Sequence, residues 1–312
     1  MWKRKKFGYK IDEFAEEEFI TNLRYADDIL LVARTLPQIK RMLADLDEEA
    51  TKVGLKLHPG KTKIQHNNIG YGVAVGSAKC GNVTVQVLSN GEQSAYLGRS
   101  INLTDMDDTE LQCRIAKAWA KFGVFRSELT DRAIPMHLRT RLFDAVVTPT
   151  ILYGSEAWTM TLQRQLTLRA VQRRMMRRLT HAHRSYDQYD SYVEWIKEET
   201  GKVVQTMFDH NITCWTVLQR RKSWTWAQKM CSSSGDRWNH AVNMWHLRDI
   251  RPRGRPKNRW HDVLNNFLSK KLGCVHNSDD WMKAAADKTS WQNMAREFEE
   301  DTSLAKRDDE DE

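Results

Sequence analysis

The sequence predicts an α+β fold in which a mixed N-terminal part is followed by a mainly helical part. In the first hundred residues, short apolar runs alternate with turn dipeptides and with one amphipathic helical pattern. From about residue 105, apolar residues recur at helical spacing almost to the end. Of the 312 residues, 40% are hydrophobic and 29% are charged, so the chain has enough apolar side chains to fold around a core.

The first element is a strand, turn and strand over residues 19–33, which contains the stretch "RYADDILLVA". Asp27 and Asp28 lie at its turn, between an aromatic residue and a run of apolar residues. Thr35 can cap the helix that follows, and Gly54 can end it. The apolar positions of this predicted helix lie three or four residues apart, at Ile39, Met42, Leu43, Leu46, Ala50 and Val53.

Two further hairpins are predicted in the mixed part. The segment "LKLHPGKTKI" (55–64) has a Pro-Gly turn between two runs that alternate in polarity. The segment "VTVQVLSNGEQSAYLG" (83–98) has an Asn-Gly turn at Asn90 and Gly91, which favours a two-residue hairpin loop.

The second part predicts a series of helices. Leu111, Ile115, Trp119 and Phe122 mark the first, Pro135 is expected to open the second, and Pro149 is expected to close it. A third helix is predicted over about residues 160–181. One side of it carries Leu168, Val171, Met175 and Leu179, and the other carries Arg173, Arg174, Arg177 and Arg178. Many of the twelve tryptophans fall in this part, where their spacing favours a role in the core.

Composition excludes several classes of protein. No apolar run is long enough for a membrane span, and the basic N-terminal residues precede an acidic stretch rather than the apolar segment of a secretory signal. The five cysteines form no Cys-x-x-Cys pair, so neither a disulfide framework nor a zinc knuckle is indicated. These features predict an intracellular protein, nuclear or cytoplasmic. The net charge of +8 favours a polyanionic partner, although diffuse positive charge is common.

Adjacent carboxylates at a strand turn suggest a bound cation. Two ionised carboxylates a few ångströms apart repel by roughly 4 kcal/mol at an effective dielectric constant near 20. Mg²⁺ would offset this repulsion, because it takes carboxylate oxygens while keeping water and substrate phosphates as further ligands. A polar hairpin turn without a metal is the alternative, and for an isolated Asp-Asp pair it is the better one.

The surrounding motifs resemble the palm of reverse transcriptases of non-LTR (LINE-type) retrotransposons. "YADD" lies at a hairpin, and a helix and the segment "GLKLHPGKTKI" follow it. Further segments, "RIAKAWAKFG", "LRTRLFDAVVTPTILYGSEAWTM", "LRAVQRRMMRRL" and "RPRGRPKNRWHDVL", are similar to the region after the palm in these elements. The resemblance covers about residues 20–265 and implies template-directed nucleotidyl transfer from an RNA template onto a DNA primer.

The resemblance also implies roles for individual residues. Asp27 and Asp28 would hold two catalytic Mg²⁺ ions, with Mn²⁺ as an alternative ion, and Tyr25 would lie beside the primer end. Lys61 would act as the general acid, with Lys63 as an alternative and an ordinary solvated turn lysine as the equally weighted explanation. The stretch "YLG" would begin the primer-gripping hairpin, with Tyr96 and Gly98 as its residues.

The resemblance has a gap as well. The family's earlier palm aspartate and its fingers domain have no counterpart in the residues before Tyr25. Because phosphoryl transfer depends on positioning and charge stabilisation, we expect this chain to be inactive or nearly so by itself. It would then need the missing fingers and palm segment in trans.

The implied architecture is a partial palm followed by a thumb-like helical region and a helical extension. The predicted domains are a charged lead (1–18), the partial palm (19–100), a thumb-like domain (101–185), a helical C-terminal extension (186–298) and an acidic, disordered tail (299–312).

A nucleic-acid-binding protein without catalysis is the alternative function. Between Gln112 and Arg184 the sequence has fourteen Lys or Arg residues and four Asp or Glu residues. The net charge of this segment is +10, which exceeds that of the whole chain. In this function, the phosphates of a template-primer duplex would be contacted by Arg173, Arg174, Arg177 and Arg178. The alternative is that these arginines form only a solvated helix face.

The segment "PRGRPK" (252–257) resembles the core of an AT-hook. In that motif, arginines equivalent to Arg253 and Arg255 would enter the narrow minor groove of A·T-rich duplex DNA. A flexible basic linker explains the same composition, and we favour it over contact with duplex DNA.

Overall fold

The computed structural model describes residues 2, 5–10, 19–67, 76–89, 91–183, 191–232, 259–273 and 280–301. They form an α+β structure, which confirms the predicted fold class. The strands are β1 (Tyr9–Lys10), β2 (Phe19–Ile20), β3 (Asn22–Tyr25), β4 (Asp28–Leu31), β5 (Lys63–Ile64), β6 (Gly76–Cys80), β7 (Val83–Val87), β8 (Ser94–Tyr96) and β9 (Arg99–Ile101). The helices are α1 (Leu36–Lys52), α2 (Met106–Val124), α3 (Arg126–Thr130), α4 (Met136–Val146), α5 (Thr148–Ile151), α6 (Leu162–Leu179), α7 (Tyr192–Asp209), α8 (Trp215–Cys231), α9 (Asp262–Leu272), α10 (Asp280–Ala286) and α11 (Lys288–Glu300), with a 3₁₀ turn at Ser155–Ala157.

The described residues fall into two compact units, and the boundary between Glu110 and Leu111 lies within α2. The first unit contains short antiparallel pairs, β1 with β2, β3 with β4 and β8 with β9, and one three-stranded sheet in the order β5-β7-β6. Its core lies between α1 and this sheet, where Val85 and Val87 of β7 alternate with exposed residues. The domain boundaries predicted from the sequence stay predictions.

The first hairpin and the helix after it are confirmed. The Thr35 hydroxyl accepts a hydrogen bond from the Gln38 N–H at the start of α1. At the other end Gly54 adopts a left-handed conformation (φ 78°), and its N–H bonds to the Thr51 carbonyl. The Leu55 N–H bonds to the Ala50 carbonyl, which completes a Schellman motif.

The hairpin predicted over 55–64 is wrong, although its Pro-Gly turn is present. Leu55 belongs to the C-terminal cap of α1 instead of starting a strand, because its N–H is already bonded to a helix carbonyl. At the other side of the turn only Lys63 and Ile64 form a strand, and they pair in parallel with β7.

The hairpin predicted over 83–98 is also wrong. β7 pairs with β6 through a tight turn that begins at Gly81 (φ 63°), with Cys80 opposite Val83. The later strand β8 pairs with β9 instead, across a turn at Leu97 and Gly98. The sequence of β6, "GSAKC", contains no β-branched residue, so its composition does not reveal the strand that takes the place beside β7.

The second unit is helical, as predicted, and contains two apolar cores joined by α8. The first core collects buried residues from α2 to the start of α8, and there Phe143 stacks on Trp215. The second core lies among α8 to α11. Pro149 does not close α4, which ends at Val146; it lies in the first turn of α5, where a missing N–H leaves no hydrogen bond unmade. No helix within the described ranges is both long and apolar enough to span a bilayer.

A reciprocal tryptophan pair connects α8 to α11. The rings of Trp224 and Trp291 stack with centroids 3.6 Å apart, and both are almost fully buried. The Trp224 indole N–H donates to the Trp291 carbonyl (3.0 Å), and the Trp291 indole N–H donates to the Trp224 carbonyl (3.1 Å). Each large ring is therefore buried without an unsatisfied donor. Burial of tryptophans in the core, as predicted, is confirmed here and for Trp215 and Trp281.

Replacing Trp291 with alanine should lower the free energy of unfolding by about 3–5 kcal/mol, the usual cost of truncating a buried large aromatic residue. The change removes the ring stack and the hydrogen bond to the Trp224 carbonyl. Urea denaturation measures the change in the free energy of unfolding. The control is Gln292→Ala, which changes the exposed neighbouring residue. Equal losses in the two variants would contradict a structural role for the pair.

Candidate functional site

The two adjacent aspartates lie at the tip of the β3–β4 hairpin. Tyr25 and Asp28 are opposite each other in the register, so Ala26 and Asp27 form a two-residue loop. Ala26 takes a left-handed conformation (φ 50°), which matches the twist of such short loops but costs about 1–2 kcal/mol for a residue with a Cβ atom. The tip therefore stores some backbone strain, a feature that is frequent at functional sites.

Both carboxylates of the hairpin are exposed to solvent, and the Tyr25 ring is 67% exposed. Within the described residues, neither Asp27 nor Asp28 takes part in a side-chain hydrogen bond or an ion pair. A buried acid of the same unit, Asp45, has partners: its carboxylate accepts a hydrogen bond from the Trp2 indole N–H (3.1 Å) and forms an ion pair with Arg41 (2.9 Å). The hairpin carboxylates are thus available to an ion or a ligand from solvent.

Tyr96 is brought to the hairpin by the β8–β9 pair. Its hydroxyl donates to the Leu23 carbonyl of β3 over 3.4 Å. Burial raises the pKa of the Tyr96 hydroxyl above its ordinary value, and the negative charge of Asp28 raises it further. The turn after Tyr96 has positive φ at both Leu97 (49°) and Gly98 (75°), as a two-residue hairpin loop requires. The structure therefore brings Asp28 and Tyr96, two of the predicted site residues, together.

Lys61 is not joined to this group. It is exposed in the turn after the Pro-Gly dipeptide, where its backbone N–H donates to the His58 carbonyl (3.1 Å). No hydrogen bond or ion pair connects its ammonium group to Asp27 or Asp28 among the described residues. Lys63 lies near Glu92, whose pKa is lowered mainly by hydrogen bonds from Ser89 and slightly by this lysine. A general-acid role for either lysine stays a prediction.

The hairpin carboxylates can be compared with the ligands that a divalent ion prefers. Asp27 and Asp28 supply the hard oxygen ligands that Mg²⁺ and Mn²⁺ prefer. In the part of the chain that the structure describes, no three Asp, Glu, His or Cys side chains cluster in a way that could hold an ion. The described residues therefore fit an ion held by two carboxylates, with its remaining positions filled by water or substrate.

The arginines of α6 form a second candidate site. The guanidinium carbons of Arg174 and Arg178 lie 5.8 and 5.1 Å from the ring centroid of Trp119, which belongs to α2. Arg177 is partly buried, and its Nη1 donates to the Thr200 hydroxyl of α7 over 3.5 Å. The predicted apolar side of α6 is confirmed, since Leu168, Met175 and Leu179 are fully buried and Val171 is partly so.

The four arginines of this cluster do not share the same surroundings. Two of its arginines lie over an aromatic ring and a third contacts α7. Burial lowers the pKa of Arg177, Tyr192 nearby raises it, the positive charges of Arg173 and Arg174 lower it again, and Glu199 raises it slightly. Other arginines of the described residues, such as Arg41, Arg99 and Arg221, pair with a carboxylate. The α6 arginines thus repel one another, and no ion pair among the described residues neutralises them.

Two residues of this second site were not predicted from the sequence. Trp119 shares the apolar spacing of α2, so periodicity assigns it to the core, yet its ring is only partly buried and carries two guanidinium groups. Tyr192 starts α7, and its exposure follows from packing that a single sequence does not report. The predicted minor-groove residues Arg253 and Arg255 lie outside the described residues.

Changing Asp28 to asparagine should lower the pKa of Tyr96 toward its ordinary value, because a neutral residue no longer opposes formation of the tyrosinate. The pKa should stay raised in part, since burial is the larger cause. Ultraviolet titration of tyrosinate, with Tyr96→Phe used to assign the signal, measures the change. Asp27→Asn is the matched control and should have the smaller effect; equal effects of both changes would contradict this geometry.

Comparisons with known proteins give one similarity. The chain is 28% identical over 282 residues to a Caenorhabditis elegans protein described as transposon-derived and uncharacterized. The matched region covers 89% of this chain and 95% of that protein. No family model matches the chain, and no solved structure matches it.

Proposed function

We propose that the chain derives from the RNA-directed DNA polymerase of a retrotransposon and that the β3–β4 hairpin is its nucleotidyl-transfer site. The similarity to a transposon-derived protein supports a mobile-element origin. The proposed nucleotidyl-transfer site rests on one observation, the tight Tyr-Ala-Asp-Asp hairpin with its two unpaired carboxylates. One of them, that of Asp28, lies near the hydroxyl of Tyr96. An RNA template and a DNA primer would be the two substrate strands.

A divalent ion would be held by Asp27 and Asp28. Mg²⁺, or Mn²⁺ in its place, would when bound neutralise the charge of the phosphates during transfer. The chain's own contribution is positional: the two-residue loop fixes the carboxylates relative to β3, and the bond from Tyr96 to the Leu23 carbonyl fixes the neighbouring hairpin. Tyr25, whose ring is exposed beside Asp28, would lie against the primer end.

Activity of the chain by itself should be low. Two carboxylates bind Mg²⁺ less tightly than three, and transfer depends on precise positioning of the attacking and leaving oxygens. A segment carrying fingers and an earlier palm aspartate would complete such a site.

Mn²⁺ added as a paramagnetic probe should bind weakly and broaden the amide NMR signals of residues 25–29. The double change Asp27→Asn and Asp28→Asn should remove this broadening, because it removes both oxygen anions. Glu48→Gln with Glu49→Gln is the matched control: it neutralises two adjacent acids of the same unit, both paired with Lys52.

One outcome would contradict the proposed site, and another would contradict only the expected low activity. Broadening that persists without Asp27 and Asp28 would exclude the hairpin as the ion site. Strong primer extension on an RNA template by the 312-residue chain alone, lost with Asp27→Asn, would show that the site is complete and that only the expected weakness is wrong.

A nucleic-acid-binding function without chemistry is the second candidate. It is favoured by the four α6 arginines, which repel one another and form no ion pair within the described residues. Phosphates would neutralise them, and guanidinium groups held over the Trp119 ring would lose less conformational freedom on binding than free side chains. The contacts would be to the backbone and therefore tolerant of sequence.

Replacing Arg174 and Arg178 with glutamine should flatten the slope of log affinity against log salt by up to about 1.8 for duplex nucleic acid, at roughly 0.9 for each phosphate that the protein no longer neutralises. A fluorescence-anisotropy salt series on an RNA–DNA hybrid measures the slope. Arg132→Gln with Arg141→Gln, two exposed arginines elsewhere in the unit, removes equal charge and should leave the slope unchanged. If both pairs flatten it equally, only overall charge matters and the α6 surface is not a site.

A further inference from the structure

Tyr192 is an exposed aromatic residue beside the α6 arginines. It is the first residue of α7, after Ser191, whose side chain accepts a hydrogen bond from the Val193 N–H over 3.1 Å. The Tyr192 ring is 57% exposed, and one side of it approaches the partly buried Trp195, with centroids 5.5 Å apart. The ring is therefore held at the start of a capped helix and still accessible from solvent.

Tyr192 belongs to the helix that Arg177 contacts, and it contributes to the electrostatic environment of that guanidinium group. The same arginine donates to Thr200 further along α7, so this helix borders the row formed by Arg173 and Arg177. The neighbouring row, Arg174 and Arg178, lies over Trp119 of α2. The arginine cluster of α6 thus lies between Trp119 of α2 and helix α7, which begins at Tyr192.

The two aromatic residues are not equivalent. Two guanidinium groups already lie over the Trp119 ring, which is also partly buried, so this ring is less open to a ligand. Within the described residues, no guanidinium or ammonium group lies over Tyr192, and its ring keeps an exposed face. Tyr192 is therefore the ring that a ligand with a flat π-system can reach.

We propose that the α6–α7 surface binds a single strand of nucleic acid, with phosphates on the arginines and one base stacked on Tyr192. The proposal rests on the nucleic-acid-binding function proposed above and names its substrate class. Phosphates occur in single strands and duplexes alike, but the faces of bases inside a duplex are already stacked on one another. An exposed ring near a cluster of arginines therefore favours the strand whose bases are free, and it does so without reading sequence.

The preference can be measured with two labelled ligands of equal phosphate count, an oligothymidylate and a hairpin duplex, bound to the full chain at one salt concentration. Tyr192→Leu should weaken binding of the single strand about tenfold, the typical loss of one base stack, and leave duplex binding unchanged. Tyr192→Phe keeps the ring and should bind both ligands as the parent does.

Phe208 provides the matched control. It is 78% exposed on the same helix, and sixteen residues separate it from Tyr192, about 24 Å along the axis. Phe208→Leu should therefore leave both affinities unchanged. A fluorescent adenine analogue within the strand supplies a second measurement, since its emission should be quenched on binding to the parent and to Tyr192→Phe but not to Tyr192→Leu.

The outcomes separate this inference from the function on which it rests. If the parent binds both ligands and Tyr192→Leu changes neither affinity, or changes both equally, the stacking site is overturned while nucleic-acid binding stands. If the parent binds neither ligand, both proposals fail.

Discussion

The second unit depends on α8, a single helix that contributes to two separate cores. At its first turn Trp215 stacks on Phe143 in one core, and further along the helix Trp224 stacks on Trp291 in the other. Because Trp224 and Trp291 each donate to the other's carbonyl, the two backbones and the two rings are fixed by one reciprocal contact. Breaking either core would therefore loosen the helix that holds the other.

The two candidate sites share one electrostatic character. At the β3–β4 hairpin, two like charges are adjacent and exposed, and on α6 four like charges lie close together. Elsewhere the protein neutralises charge locally: Asp45 is surrounded by Trp2, Lys5 and Arg41, and Glu299 pairs with both guanidinium nitrogens offered by Arg221. Like charges held close together repel one another, and a ligand of opposite charge would relieve that repulsion.

The sequence was informative where local chemistry decides the structure. The Thr35 cap, the left-handed Gly54 and the aspartates at the hairpin tip all follow from neighbouring residues. The sequence is misleading where strand pairing depends on a segment further along the chain. β7 pairs with β6 and β5, although Asn90 and Gly91 suggest a hairpin with β8. The approach of Tyr96 to Asp28 and the placement of two guanidinium groups on Trp119 depend on tertiary packing, which spacing along the chain does not encode. The resemblance supplied Tyr96 as a candidate, whereas periodicity alone assigned Trp119 to the core.

The crowding of positive charge on α6 has a consequence for the lifetime of the protein. A polyanion that binds the folded cluster, and not the unfolded chain, would stabilise the fold by an amount that grows with the logarithm of its concentration. The fraction of molecules that open, and with it their exposure to proteases, would fall as the polyanion becomes abundant. Arg177 lies between its like-charged neighbours and α7, so a polyanion bound there would stabilise this packing. The steady-state amount of the protein would then rise with the concentration of the polyanion.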